Sequence, residues 1–135
     1  MSYKSEFPDF DDVFPDFSPL VDQSWHSDAM PSFAWEDTSD QDLSDCRIVL
    51  WCDFLQPQMR EIQSMAAKRF RIVVQDRALN IIATPVAAES IDLLREKCNV
   101  WYLENVGYRP DSEQADIPIG ELVCLVGQLA YLHKQ

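Results

Sequence analysis

The chain has 135 residues, 47% hydrophobic and 25% charged, a length and balance that fit one ordinary folded unit. Its net charge of −12 leaves few Lys and Arg to neutralise phosphates, which argues against direct binding to nucleic acid or to an anionic membrane surface. The charge is also segregated: residues 1–45 hold twelve acids and a single base, Lys4, for a balance of −11, while residues 46–135 balance to −1.

Residues 1–45 read as an acidic, aromatic-rich arm, largely irregular. Phe7-Pro-Asp-Phe10 recurs as Phe14-Pro-Asp-Phe17, and Trp25, Phe33 and Trp35 continue the aromatic spacing. Pro8, Pro15, Pro19 and Pro31 interrupt any helix, because each lacks an N–H and restricts the residue before it. A solvated tail has no need of so many rings. Rings separated by acids suit a short linear motif captured by an apolar groove with a basic rim. In that reading Phe7, Phe10, Phe14, Phe17, Trp25, Phe33 and Trp35 are the anchors, and Asp9, Asp11, Asp12 and Asp16 steer the partner. Two other readings stay open: an arm that packs on its own domain, and a featureless acidic tail.

Residues 46–135 read as a compact α/β domain. Cys46–Cys52 is a continuous apolar run, a buried strand with Asp53 at its exit. Pro57 then suits the first turn of a helix, with Met59, Ile62, Met65 and Ala66 on one face and Lys68, Arg69 and Arg71 near its end. The most strand-like stretch follows: Ile72–Val74 and Ile81–Ile82 are β-branched clusters, and Asp76-Arg77-Ala78 can turn a hairpin between them. Pro85 is expected to end the second strand. Ala87–Cys98 reads as a second helix, Val100–Leu103 as a further strand, and Ile119–His133 as a last helix that Asp116 and Pro118 introduce. The order strand, helix, strand, strand, helix, strand, helix implies a layered α/β or α+β fold with a small sheet. A central hairpin gives a ferredoxin-like split β-α-β arrangement, and a single central strand an open parallel sheet.

The segment Ile81-Ile-Ala-Thr-Pro-Val-Ala-Ala-Glu-Ser-Ile-Asp-Leu-Leu-Arg95, with Val100–Glu104 after it, resembles the C-terminal part of phosphoribosyltransferase domains. The resemblance implies a strand, a helix opening with Glu-Ser and another strand, with Ile48–Asp53 in the place of the strand bearing the pyrophosphate signature. It would put a nucleotide or other phosphorylated ligand near Asp53. The chain departs from the family pattern at that point. Asp53 stands without a second acid, is followed by Phe54-Leu-Gln-Pro57, and no glycine precedes Gly107.

The same glycine shortage excludes the usual phosphate loops. The cysteines Cys46, Cys52, Cys98 and Cys124 form no C-x-x-C pair, and His26 and His133 lie far apart, so neither a metal nor another cofactor is expected. No apolar run approaches the roughly 18 residues of a membrane span, and the N-terminus lacks a signal-peptide core, so a cytoplasmic protein is expected. The expected function is non-enzymatic: an accessory or regulatory subunit whose arm binds a protein partner. A structural subunit that docks the wide apolar face of Ile119–His133 on a partner or on its own copy is a third reading.

Overall fold

A computed structural model describes residues 2–10, 12–28, 30–36, 46–56, 68–76, 78–107 and 117–133. Among these residues five strands form one open sheet in sequence order: β1 (Val21–Asp22), β2 (Ser32–Glu36), β3 (Arg47–Cys52), β4 (Phe70–Gln75) and β5 (Ile81–Ala88). Every neighbouring pair is antiparallel. A short helix α1 (Tyr3–Glu6) precedes the sheet, and α2 (Ile91–Val106) and α3 (Ile119–His133) follow it. The fold is α+β, with the two long helices packed on one face of the sheet.

Register decides which residues meet those helices. Ile48, Leu50 and Cys52 pair with Val74, Ile72 and Phe70, and the period of two puts all six on one face, where each is fully buried. Phe33 pairs with Leu50 and Trp35 with Ile48, so β2 adds its rings to that same face. Leu94 and Cys98 of α2 and Leu122, Val123 and Val126 of α3 close the core from above. Gly127 sets how near α3 comes. A side-chain carbon there would lie 2.7 Å from Ile48 Cδ1, so only a glycine lets the helix rest on β3 at this depth.

The structure differs from the sequence-based expectations in several places. The sheet does not begin at residue 46: β1 and β2 lie inside the segment expected as an irregular arm, and β2 pairs with β3 along its whole length. Neither the split β-α-β order nor a parallel sheet forms, since β3 and β4 are antiparallel neighbours. Apolar periodicity marks a strand but carries no direction, so it could not separate these cases. The expected helix over Met59–Ala66 lies outside the described residues, as do Asp11 and Arg77.

Val100–Leu103 is not a strand. It forms the third and fourth turns of α2, whose buried positions Leu94, Cys98 and Tyr102 keep a four-residue step straight through it. The helix begins at Ile91 rather than Ala87, because the Ser90 hydroxyl accepts the Leu93 N–H at 3.1 Å and fixes the start. It ends at Gly107, whose φ of 102° gives a left-handed cap. The hairpin expected around Asp76 does form, closed by the Asn80 N–H on the Asp76 carboxylate at 2.9 Å. Its second strand runs past Pro85 to Ala88. Thr84 and Pro85 together face the single β4 residue Val73, a bulge that spares the ladder a missing N–H.

Candidate functional site

The described residues between 2 and 36 form a layer with two unlike sides. The inner side is aromatic. Phe14 lies at its centre, 4.8 Å from Tyr3, 5.0 Å from Phe10, 5.6 Å from Phe17 and 5.7 Å from Phe33 between ring centroids. Phe10 stacks on Phe54 at 5.0 Å, and Phe14 meets the core ring of Phe70 edge-on at 6.1 Å. Ring pairs at these separations gain about 0.5–1.5 kcal/mol each beyond the burial of their area. Phe10, Phe14 and Phe17 of the two repeats therefore pack on the protein's own rings, and the first repeat closes as a turn with the Phe10 N–H on the Phe7 carbonyl at 2.9 Å.

Of the expected partner anchors, Phe17 at 2% and Phe33 at 8% exposure are core residues and cannot insert into another protein. Phe10 and Phe14 are half-buried in the cluster, Trp35 packs against the core, and Phe7 is half-buried beside α1. Trp25 is different. It is 44% exposed, on a turn closed by the Asp28 N–H on its carbonyl, with the His26 ring 4.2 Å away.

The carboxylates divide as well. Asp22 is structural: it accepts the Tyr3 N–H at 2.8 Å and the Ser24 N–H at 3.0 Å, tying α1 to β1. Glu6 accepts from His26 at 3.1 Å, and this bond holds its carboxyl below the usual value. Asp16 is held low by the Ser18 N–H and then by the Ser18 hydroxyl. Asp12 forms an ion pair at 2.6 Å with Arg69, whose side chain is only 5% exposed. Asp9, Asp16 and Asp28 face solvent.

Arg69 is a residue that sequence reasoning missed. Expected at a helix end, it turns inward just before β4. Its Nη2 reaches Asp12, its Nε donates to the Asp53 carbonyl at 3.0 Å, and its guanidinium lies 4.7 Å over the Phe70 ring. One cation thus joins the N-terminal layer to the end of β3. The alternation of Phe70, Ile72 and Val74 was the available signal that a strand, not a helix end, occupies this stretch. Tyr3, Phe54 and Phe70 were missed for the same reason: their role depends on partners distant in sequence.

Asp53, the expected ligand carboxylate, is 1% exposed. It accepts the Phe54 N–H at 2.9 Å and lies 3.7 Å from Arg71 Nη2. That arrangement pins the end of β3 and offers no open face to a phosphate.

The thiols do not suit nucleophilic work. Burial pushes Cys52 well above its ordinary value and pushes Cys98 and Cys124 up to about 12. Among the described residues no three His, Cys, Asp or Glu side chains gather to hold a metal, and no helix is long and apolar enough to cross a membrane. No protein-family model, curated protein or solved structure matches the chain.

Proposed function

We propose that the protein is a non-enzymatic binding subunit that presents a fixed carboxylate face to a basic protein partner. The observation that carries this reading is the two-sided N-terminal layer: Phe14, Phe17 and Phe33 turn inward while Asp9, Asp16 and Asp28 turn to solvent. The site differs from the expected free arm, since the rings that were to be anchors hold the layer in place. Ordering it on folding means that little conformational entropy remains to be lost on binding. Trp25 is exposed enough to enter a partner's apolar recess, and Asp28 on the same turn, with the exposed Asp9 and Asp16, would set approach rate and specificity. A partner surface with Lys or Arg around a shallow apolar hollow fits this chemistry.

A phosphorylated ligand at Asp53, as the phosphoribosyltransferase resemblance implies, has less to support it, because that carboxylate is buried beside Arg71 and the helix α2 replaces the strand the pattern requires.

Capture of partners on the full chain tests the reading. A protein held at low salt should be lost from Trp25→Ala and from a chain carrying Asp9→Asn, Asp16→Asn and Asp28→Asn together, and its retention should fall steeply with salt. Equal retention by all three chains at every salt concentration would refute it.

A further inference from the structure

The face of the sheet turned away from α2 and α3 carries a cavity of about 360 Å³, whose lining shares Asp28 with the proposed acidic face. Its floor follows from register. Trp51 on β3 pairs directly with Arg71 on β4, and Val73 lies two residues further along the same face. Ile81 of β5 bounds one side, and Asp28 and Met30, from the turn before β2, bound the other. The volume is within the range of small-ligand sites, and most of the wall is apolar.

Arg71 is what makes this more than a surface dent. Its side chain is 20% exposed, yet its hydrogen bonding is poor. The Nε is buried and has no acceptor among the described residues. Nη2 reaches the Met30 thioether at 3.0 Å, a weak acceptor, and only approaches the Asp53 carboxylate, at 3.7 Å. A guanidinium has five donors in one plane and matches a carboxylate with two parallel bonds. Here it lies beside an indole on a mostly apolar wall, where a charge-assisted bond is stronger than in water. Asp28 stands at the same cavity and would repel a second negative charge.

We propose that this cavity binds a small organic monoanion with a flat apolar body, its carboxylate against Arg71 and its ring on Trp51. This inference shares Asp28 with the acidic-face reading but needs no partner protein. Trp25, Asp9 and Asp16 do not line the cavity, and Arg71 and Trp51 play no part in the acidic face, so either can fail without the other.

The probe is indole-3-acetate, with indole-3-acetamide as its uncharged isostere, titrated against the full chain while unfolding temperature is followed. The acetate should raise that temperature saturably. The amide should bind weaker by roughly ten-fold or more, as loss of one charge-assisted bond implies. Arg71→Lys, which keeps the positive charge near Asp53, should weaken the acetate. Asp28→Asn should tighten it, and a gain of this kind cannot come from misfolding. No saturable shift with millimolar acetate, equal binding of acetate and amide, or indifference to both substitutions in a folded chain would each overturn the proposal.

Discussion

Gly120 at the start of α3 lies directly against the backbone of Phe17. A methyl group on that glycine would overlap the carbonyl oxygens of Phe17 and Ser18. The N-terminal layer and the last helix are therefore fitted to each other by backbone, not by adjustable side chains. Backbone cannot yield as a rotamer can, so an added carbon must push the two apart. Gly120→Ala should lower stability by about 1–3 kcal/mol, the usual cost of overpacking. Urea denaturation checks this, and an unchanged midpoint would mean that the layer does not rest where Gly120 places it.

The Arg69–Asp12 pair gives a second expectation. Arg69 is nearly fully buried and Asp12 about one-third exposed. Removing the acid leaves a buried cation whose remaining contacts among the described residues are the Asp53 carbonyl and the Phe14 and Phe70 rings. Asp12→Ala should cost about 1–3 kcal/mol. Adding Arg69→Met should recover part of that loss, because the unpaired charge goes too. The double-mutant cycle measures the coupling, and additive losses would remove the pair from the account.

Much of the domain could be read in the sequence. Arg47–Cys52, the hairpin around Asp76 and the bounds of Ile119–His133 were legible because each carries its own local signal: a continuous apolar run, two β-branched clusters, a start at Asp116 and Pro118. What was not legible depended on partners far along the chain. Ser32–Glu36 is five residues of mixed character, and only its register on β3 makes Phe33 a core side chain. Val100–Leu103 is β-prone by composition, yet the helix begun at Ser90 carries through it because Tyr102 continues the buried stripe. The candidate site shows the same division. The segregation of acids was visible, but which rings turn inward was not, since alternation at Phe-Pro-Asp-Phe does not say which side will be covered. Arg69 and Arg71, one residue to either side of Phe70, read in the sequence as cations near a helix end; the strand instead turns Arg69 to Asp12 and Arg71 to the cavity beside Trp51.

The thiols lead to a chemical expectation. Burial raises Cys52, Cys98 and Cys124, so each stays protonated near neutral pH and lacks access to reagent. In the folded chain iodoacetamide should modify these three far more slowly than in denaturant. Mass spectrometry of timed samples reads this, and rapid labelling of Cys98 or Cys124 under native conditions would contradict the packing of α2 and α3.

Acid stability follows from Glu6 and Asp16. Both are held below their ordinary values of 4.5 and 3.8, Glu6 by the His26 ring and Asp16 by the Ser18 N–H and hydroxyl. A carboxyl depressed in the folded state contributes stability that is present above its unfolded value and lost as pH falls through the folded one. The contribution is small, because both groups are near solvent. Stability should therefore decline below about pH 4.5, and Glu6→Gln with Asp16→Asn should flatten that decline. Urea melts across the acid range check the slope, and an identical slope in wild type and variant would exclude these two bonds as its source.

Amide hydrogen exchange along β2 tests the whole account most directly. With rings turned in and acids turned out, residues 2–36 belong to the folded unit, and the amides of Phe33, Ala34 and Trp35 should exchange as slowly as those of Ile48, Val49 and Leu50, through one common opening. Fast exchange across Ser32–Glu36 beside a protected β3 would show instead a loose arm on a smaller domain, and the fixed carboxylate face would go with it.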